Sequence, residues 1–138
     1  MKPTVLFLCT GNSARSQMAE GWLRHLAGDR FEVVSAGTHP VGLNPGSVDA
    51  MAEVGIDIAG HRSKSVTEFA GQSIEYVITV CDRAKETCPV WPGRTTLMHW
   101  SFDDPVAVAD TELRRQTFRR VRDEIAASIH GFLKTGNG

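Results

Sequence analysis

The chain has 138 residues, three cysteines and a formal net charge of −1 at neutral pH. This length fits a single catalytic domain over residues 1–138, whose core is large enough to be stable without disulfides. The charge offers no basis for nucleic-acid binding, and no apolar run is long enough for a transmembrane helix or a signal peptide. We therefore expect a cytoplasmic protein, monomeric by default, with reduced thiols. An odd number of cysteines also argues against a purely structural disulfide framework.

The first half of the chain alternates strand and helix signals. Buried apolar runs predict strands, and apolar residues at helical spacing predict helices. Between the second strand and the second helix, residues 38–46 carry two prolines and two glycines and are expected to form a loop. The predicted strands are residues 4–9 and 31–36, and the predicted helices are residues 16–26, 47–54 and 66–70.

The second half continues the same alternation. Residues 75–80 and 95–99 have strand patterns, and residues 111–133 repeat apolar side chains at helical spacing. Strands that alternate with helices predict an α/β domain with a four-stranded parallel sheet flanked by helices on both faces. Ligands of such sheets bind at the carboxyl ends of the strands. Cys9, Cys81 and the segment after Trp100 should meet at that edge.

The junction between the first strand and the first helix predicts an oxyanion cradle. Cys9 and Arg15 are separated by five residues, and the peptide N–H groups between them can converge on a tetrahedral anion at the helix N-terminus. Arg15 can grip two anion oxygens, and the same positive field should lower the pKa of the Cys9 thiol. The alternative is a buried cysteine followed by an ordinary helix cap. The candidate binding residues are Thr10, Gly11, Asn12, Ser13, Ala14, Arg15 and Ser16.

The two other cysteines, Cys81 and Cys88, are separated by a segment rich in helix-forming residues. If that segment is helical, their Cα atoms lie about 10 Å apart. A disulfide needs about 4.4–6.8 Å, so joining them requires the segment to unwind. The spacing therefore favours a redox switch. The alternative is that both thiols are small core residues.

An acid candidate follows the last strand. Attack of Cys9 on an oxyanion expels an oxygen that needs a proton, and a carboxylic acid on a rigid loop can supply it. Asp104 is the first candidate because Pro105 restricts its backbone, and Asp103 is the second. The alternative is a turn with a helix cap.

The sequence resembles the thioredoxin-coupled arsenate reductases, which have the low-molecular-weight tyrosine phosphatase fold. The similarity covers nearly the whole chain, beginning with CTGNSARSQMAEG at residues 9–21. The cradle alone cannot separate a reductase from a phosphatase, whereas the spacing of Cys81 and Cys88 is specific to the reductases. The other matching segments are residues 35–37, 44–45, 61, 80–81, 88–89, 99–100, 102–105 and 120–125.

The resemblance implies a mechanism and partners. Cys9 attacks arsenate, Asp104 protonates the departing oxygen, and Cys81 then attacks Cys9 to release arsenite. Cys88 next forms a disulfide with Cys81, which thioredoxin reduces. No metal or organic cofactor is implied, and the five histidines show no metal-ligand spacing. The expected outcome is arsenic detoxification.

Two departures from the family pattern have consequences. Many relatives bind potassium through residues matching Asn12, Glu20 and Ser35 together with an acidic residue, whose position is occupied here by Lys64. We hypothesise that the Lys64 ammonium takes the cation's place. Ala14 stands where many relatives carry a cysteine inside the cradle, so that protective disulfide cannot form.

Two other functions compete with arsenate reduction. A low-molecular-weight protein-tyrosine phosphatase would usually have a tyrosine soon after the Asp-Pro pair, whereas residues 106–109 are Val-Ala-Val-Ala. A non-enzymatic oxyanion or redox sensor would signal through the unwinding of residues 81–88. Efficient multiple turnover with thioredoxin as the only partner would argue against the sensor.

Overall fold

Four parallel strands form the sheet, as the sequence predicts. The computed structural model describes residues 2–81 and 95–135. Within them, the strand order is β2-β1-β3-β4, and every pairing is parallel. The central strand β1 ends at Cys9, beside Gly37 at the end of β2. The strands are β1 (Thr4–Cys9), β2 (Glu32–Gly37), β3 (Tyr76–Thr79) and β4 (Thr96–His99).

Three α-helices and two short 3₁₀ helices lie within the described residues. The helix predicted at residues 47–54 begins earlier, because Asn44 accepts a hydrogen bond from the Gly46 N–H and Pro45 suits a first helical position. No helix in residues 2–81 or 95–135 is both long and apolar enough to cross a membrane. The helices are α1 (Arg15–Ala27), α2 (Pro45–Ala52) and α3 (Thr111–Thr135), and the 3₁₀ helices are Val66–Phe69 and Pro105–Ala107.

The buried core is formed by apolar residues of the sheet and of the helices that pack on it. α3 packs against both α1 and α2, and its apolar residues at helical spacing are buried as predicted. In α1, helical spacing in the sequence predicts one apolar face along Met18, Trp22 and Leu26, and the structure differs from this prediction. Met18 is fully buried, but Trp22 and Leu26 are only partly buried. The first turns of α1 instead bury polar residues, including Gln17 and Glu20. Those residues lie directly behind the predicted cradle.

Candidate active site

The carboxyl edge of the sheet opens into a cleft of about 440 Å³. Cys9, Arg15, Cys81 and Asp104 all line it, so the expected meeting of these segments at one edge is confirmed. Most of the predicted anion-binding loop also faces the cleft. The other lining residues are Thr10, Gly11, Ser13, Ala14, Val41 and Val106.

Two predicted binding residues, Asn12 and Ser16, lie behind the cleft and are fully buried. Asn12 has a positive φ of 46°, which turns its backbone N–H toward the Cys9 Sγ atom at 3.2 Å. Its side-chain amide donates to the Ser16 Oγ atom at 2.8 Å, and that oxygen lies 2.8 Å from Cys9 Sγ. Because Ser16 accepts from Asn12, its own hydroxyl proton is available for the sulfur. Both residues therefore support the thiol from behind.

The ionisation of Cys9 differs from the sequence prediction. Burial raises the pKa of the Cys9 thiol above its ordinary value, and nearby Cys81 acts in the same direction. The hydrogen bonds from Ser16 and from the Asn12 N–H oppose this by stabilising the thiolate. The predicted lowering of the pKa is therefore wrong for this structure. Burial is the largest influence on this thiol.

Arg15 and Asp104 face each other at the side of the cleft. One guanidinium nitrogen of Arg15 donates to the Phe102 carbonyl at 3.1 Å, and another lies 3.7 Å from the Asp104 carboxylate. Asp104 also accepts a hydrogen bond from the Val106 N–H, so it caps the 3₁₀ helix as well. Asp103 instead pairs with Arg120 at 2.8 Å and does not line the cleft. The geometry thus favours Asp104 over Asp103 as the acid.

Cys81 follows β3 and is buried beside the cradle. Its Sγ atom lies 3.4 Å from the Thr10 hydroxyl, and both residues line the cleft. Cys9 and Cys81 are both free thiols. Cys88, and the expected helix between it and Cys81, lie outside the described residues.

A polar network supports Asn12 from the side opposite the cleft. The Asn12 amide donates to the Ser35 hydroxyl at 3.0 Å, and that hydroxyl donates to Glu20 at 2.6 Å. The Asn12 side-chain oxygen accepts from Gln17 at 3.0 Å and from the Lys64 backbone N–H at 2.8 Å. The left-handed conformation of Asn12, unusual outside glycine, is therefore held by neighbours on α1, β2 and the segment around Lys64.

His61 and Arg24 extend this network. Arg24 donates to the Nε2 atom of His61 at 3.1 Å, so the His61 ring proton lies on Nδ1, which donates to Gln17 at 3.0 Å. Burial lowers the pKa of His61, which favours this neutral form. The resemblance contributed Glu20, Ser35 and Lys64, but the roles of Gln17, Arg24 and His61 were missed. The sequence did offer one signal for Gln17, because a polar residue at an inward-facing position of α1 indicates a buried hydrogen-bonding role.

Comparison with known proteins decides the family. The profile described as low molecular weight phosphotyrosine protein phosphatase matches residues 4–137. The chain belongs to this family. It is 47% identical to the arsenate reductase of Shouchella clausii (strain KSM-K16), over 98% of both chains. This confirms the resemblance inferred from the sequence.

Solved structures of family members have the same fold. An arsenate reductase in the phosphate binding state is 30% identical with a TM-score of 0.83, covering 97% of this chain and 98% of that one. The Corynebacterium glutamicum thioredoxin-dependent arsenate reductase Cg_ArsC1' is 30% identical with a TM-score of 0.76. That match covers 97% of this chain and 61% of the longer one.

Lys64 occupies the position at which the resemblance implies an acidic potassium ligand. Its ammonium lies 3.7 Å from the Glu20 carboxylate and donates to the Arg62 carbonyl at 3.0 Å. Among the residues matching the potassium ligands, the ammonium is thus paired with Glu20, and its replacement of the cation stays a prediction. Within the described residues, no cluster of three or more His, Cys, Asp or Glu side chains could hold a metal ion.

We predict that potassium does not stabilise this protein specifically. The Lys64 ammonium already contributes positive charge beside Glu20, so a second cation there would be repelled. Melting temperatures measured in equal concentrations of potassium and sodium chloride should agree. A rise specific to potassium would refute the hypothesis. Lys64→Asp, which restores the acidic residue, is the matched variant and should gain a potassium response.

Proposed function

We propose that the protein reduces arsenate to arsenite through a relay of its three thiols, regenerated by thioredoxin. The observation that carries this proposal is that Cys9 and Cys81, both free, line one cleft with Arg15 and Asp104. A phosphatase needs only a single thiol for its chemistry, whereas a relay needs a second within reach. The arsenate reductases among the relatives support the same conclusion.

The first step joins Cys9 to arsenic. The peptide N–H groups of the cradle and Arg15 hold the arsenate oxygens, and the Cys9 thiolate attacks the arsenic atom. The Ser16 hydroxyl and the Asn12 N–H stabilise that thiolate. Asp104 gives a proton to the departing oxygen, which leaves as water. The product is a sulfur–arsenic(V) adduct.

The second step reduces the arsenic. The Cys81 sulfur attacks the Cys9 sulfur, so an S–S bond forms and the S–As bond breaks. The electron pair of the broken bond stays on arsenic, which leaves as arsenite, arsenic(III). The Thr10 hydroxyl, 3.4 Å from Cys81 Sγ, can donate a hydrogen bond to the attacking thiolate. The two electrons thus come from the two cysteines.

The last steps restore the enzyme. Cys88 attacks Cys81 in the Cys9–Cys81 disulfide and frees Cys9, leaving a Cys81–Cys88 disulfide. A thioredoxin dithiol reduces this bond by exchange; the Corynebacterium glutamicum neighbour is itself described as thioredoxin-dependent. In this proposal residues 1–138 act as one catalytic domain and as a monomer. The reaction needs no metal or organic cofactor, and it suits the reducing cytoplasm.

Mass spectrometry of disulfides formed after one exposure to arsenate tests the relay directly. The unaltered protein should accumulate the Cys81–Cys88 disulfide. Cys88→Ser should instead stop at Cys9–Cys81. Phosphate in place of arsenate is the control and should give neither bond, because phosphorus(V) does not accept the electrons. A Cys9–Cys88 disulfide formed in the Cys81→Ser variant would contradict the proposed order, in which Cys81 attacks Cys9 before Cys88 reacts.

Asp104→Asn is expected to slow adduct formation more than any later step. The amide can still accept from the Val106 N–H, so the cap survives, but it cannot give up a proton. General acids contribute about 10²–10⁴-fold, so we expect a loss of about a hundredfold or more. Rapid-quench measurement of the first arsenite released, followed over pH, checks this. Asp103→Asn is the matched control and should retain nearly full activity.

A protein-tyrosine phosphatase is the second candidate because the family includes phosphatases and the cradle suits any tetrahedral oxyanion. Val41 and Val106 line the cleft, and no aromatic side chain of the described residues lines it to stack on a substrate ring. Assays with an aryl phosphate and with arsenate plus thioredoxin distinguish the two. Weak aryl phosphatase activity is expected in either case.

A further inference from the structure

The peptide carbonyls of the cradle from Cys9 to Ser13 each accept a hydrogen bond from a donor outside residues 9–16 or from α1. Because the C=O and the following N–H of a peptide unit point in opposite directions, these bonds aim the N–H groups inward. The cradle's electrostatics therefore depend on residues outside it. Four of these carbonyls accept from backbone N–H groups: Cys9 from Thr38, Thr10 from His39, Gly11 from Val41, and Ser13 from Asn44. The Asn12 carbonyl accepts from the side-chain Nε2 of Gln17.

The peptide unit between Gly11 and Asn12 has the greatest need of such support. Glycine has the widest backbone freedom, so Gly11 by itself does little to fix this plane, and Asn12 beyond it has a positive φ that needs support. Its N–H is also the one that donates to Cys9 Sγ, at 3.2 Å. Rotation of this one plane would remove a donor from the nucleophile and turn a carbonyl toward the anion.

The Gly11 carbonyl has two donors. The Val41 N–H lies at 3.0 Å, in an exposed loop where the Val41 residue is 76% exposed. The Ser63 hydroxyl also lies at 3.0 Å and is half-buried. The two bonds occupy both lone pairs of the oxygen. Ser63 is the donor that does not line the cleft, whereas Val41 does.

The segment carrying Ser63 is itself anchored on both sides. The Arg62 carbonyl accepts from Gln17 Nε2 at 3.0 Å. The Lys64 N–H donates to the Asn12 side chain at 2.8 Å, and the Lys64 carbonyl accepts from the Gly37 N–H at 2.8 Å. Ser63 thus has a short side chain on a fixed backbone. Its hydrogen bond to the Gly11 carbonyl therefore costs little conformational entropy.

We propose that Ser63 is a positioning residue for the anion cradle: its hydroxyl fixes the Gly11–Asn12 peptide so that the N–H faces Cys9 and the bound oxyanion. The proposal rests on the cradle of the proposed function, but not on arsenate reduction or the thiol relay. Ser63 is not among the residues that line the cleft, and it acts on the site through one peptide unit.

The test measures how inorganic phosphate protects Cys9 from alkylation by iodoacetamide. A background of Cys81→Ser with Cys88→Ser leaves Cys9 as the only thiol of the full chain. Ser63→Ala removes the hydroxyl, and Ser63→Thr restores it. Ser65→Ala is the matched control, because Ser65 is also half-buried in the same segment but bonds to Thr67 instead of the cradle.

We expect Ser63→Ala to weaken phosphate protection about three- to tenfold, the range for one net hydrogen bond. It should also move the pH midpoint of alkylation upward, because the thiolate loses part of its support. Ser63→Thr and Ser65→Ala should stay within about twofold of the background. The proposal is overturned if Ser63→Ala matches the background, if Ser63→Thr is equally impaired, or if Ser65→Ala has the same effect. Arsenate and thioredoxin are absent, so failure of the reductase proposal leaves this result interpretable.

Discussion

Cys9→Ser is expected to abolish both arsenate reduction and aryl-phosphate hydrolysis. A serine hydroxyl is far less acidic than a thiol and needs a base to ionise it. Within residues 2–81 and 95–135, the hydrogen-bond partners of Cys9 Sγ are the Ser16 hydroxyl and the Asn12 N–H, and neither is such a base. Oxygen also cannot form the disulfide that carries electrons to arsenic. Loss of a nucleophile costs on the order of 10⁴-fold or more. Steady-state assays with each substrate measure this.

Two controls distinguish loss of the nucleophile from loss of the anion-binding structure of the cradle. The cradle N–H groups are backbone groups, so Cys9→Ser should still bind inorganic phosphate, which calorimetry can detect. Cys81→Ser makes the same atomic change at another residue that lines the cleft and should retain aryl-phosphate hydrolysis. Measurable turnover of either substrate by Cys9→Ser would show that Cys9 is not the nucleophile of that reaction.

The features that the sequence predicted well are those set by local pattern. β1 and its junction with α1 follow from a short apolar run that ends in a loop with a nucleophile, and the strand bounds at residues 4–9 match. The position of Cys81 follows from a general rule, because carboxyl ends of parallel strands share one edge. Apolar spacing likewise predicted the buried face of α3.

The features that the sequence did not reveal depend on contacts between distant segments. Gln17 reaches the Arg62 carbonyl, and His61 reaches Gln17, across more than forty residues of chain. The pKa of Cys9 was predicted from charge alone, while its burial depends on how β1 and α1 pack together. Arg15 was expected to lower that pKa, but it instead pairs with Phe102 and Asp104.

Cys81→Ser and Cys88→Ser are expected to stop multiple turnover of arsenate while leaving aryl-phosphate hydrolysis measurable. Phosphate-ester cleavage needs only Cys9, the cradle and an acid, and water can resolve the adduct. Reduction needs Cys81 to attack the Cys9 sulfur, which leaves the S–As electron pair on arsenic, and it needs Cys88 to free Cys9. The two activities, measured side by side on each variant, test this division of labour.

The two variants should differ in a single-turnover experiment without thioredoxin. Cys88→Ser keeps the attacking thiol beside Thr10, so each chain should release a single arsenite and stop as a Cys9–Cys81 disulfide. Cys81→Ser lacks that thiol and should release none, although its cradle still binds the oxyanion. A dithiothreitol chase should restart Cys88→Ser because the small dithiol replaces the missing resolving thiol. Equal loss of reductase and phosphatase activity in Cys88→Ser would refute the division, since that residue should have no part in phosphate-ester cleavage.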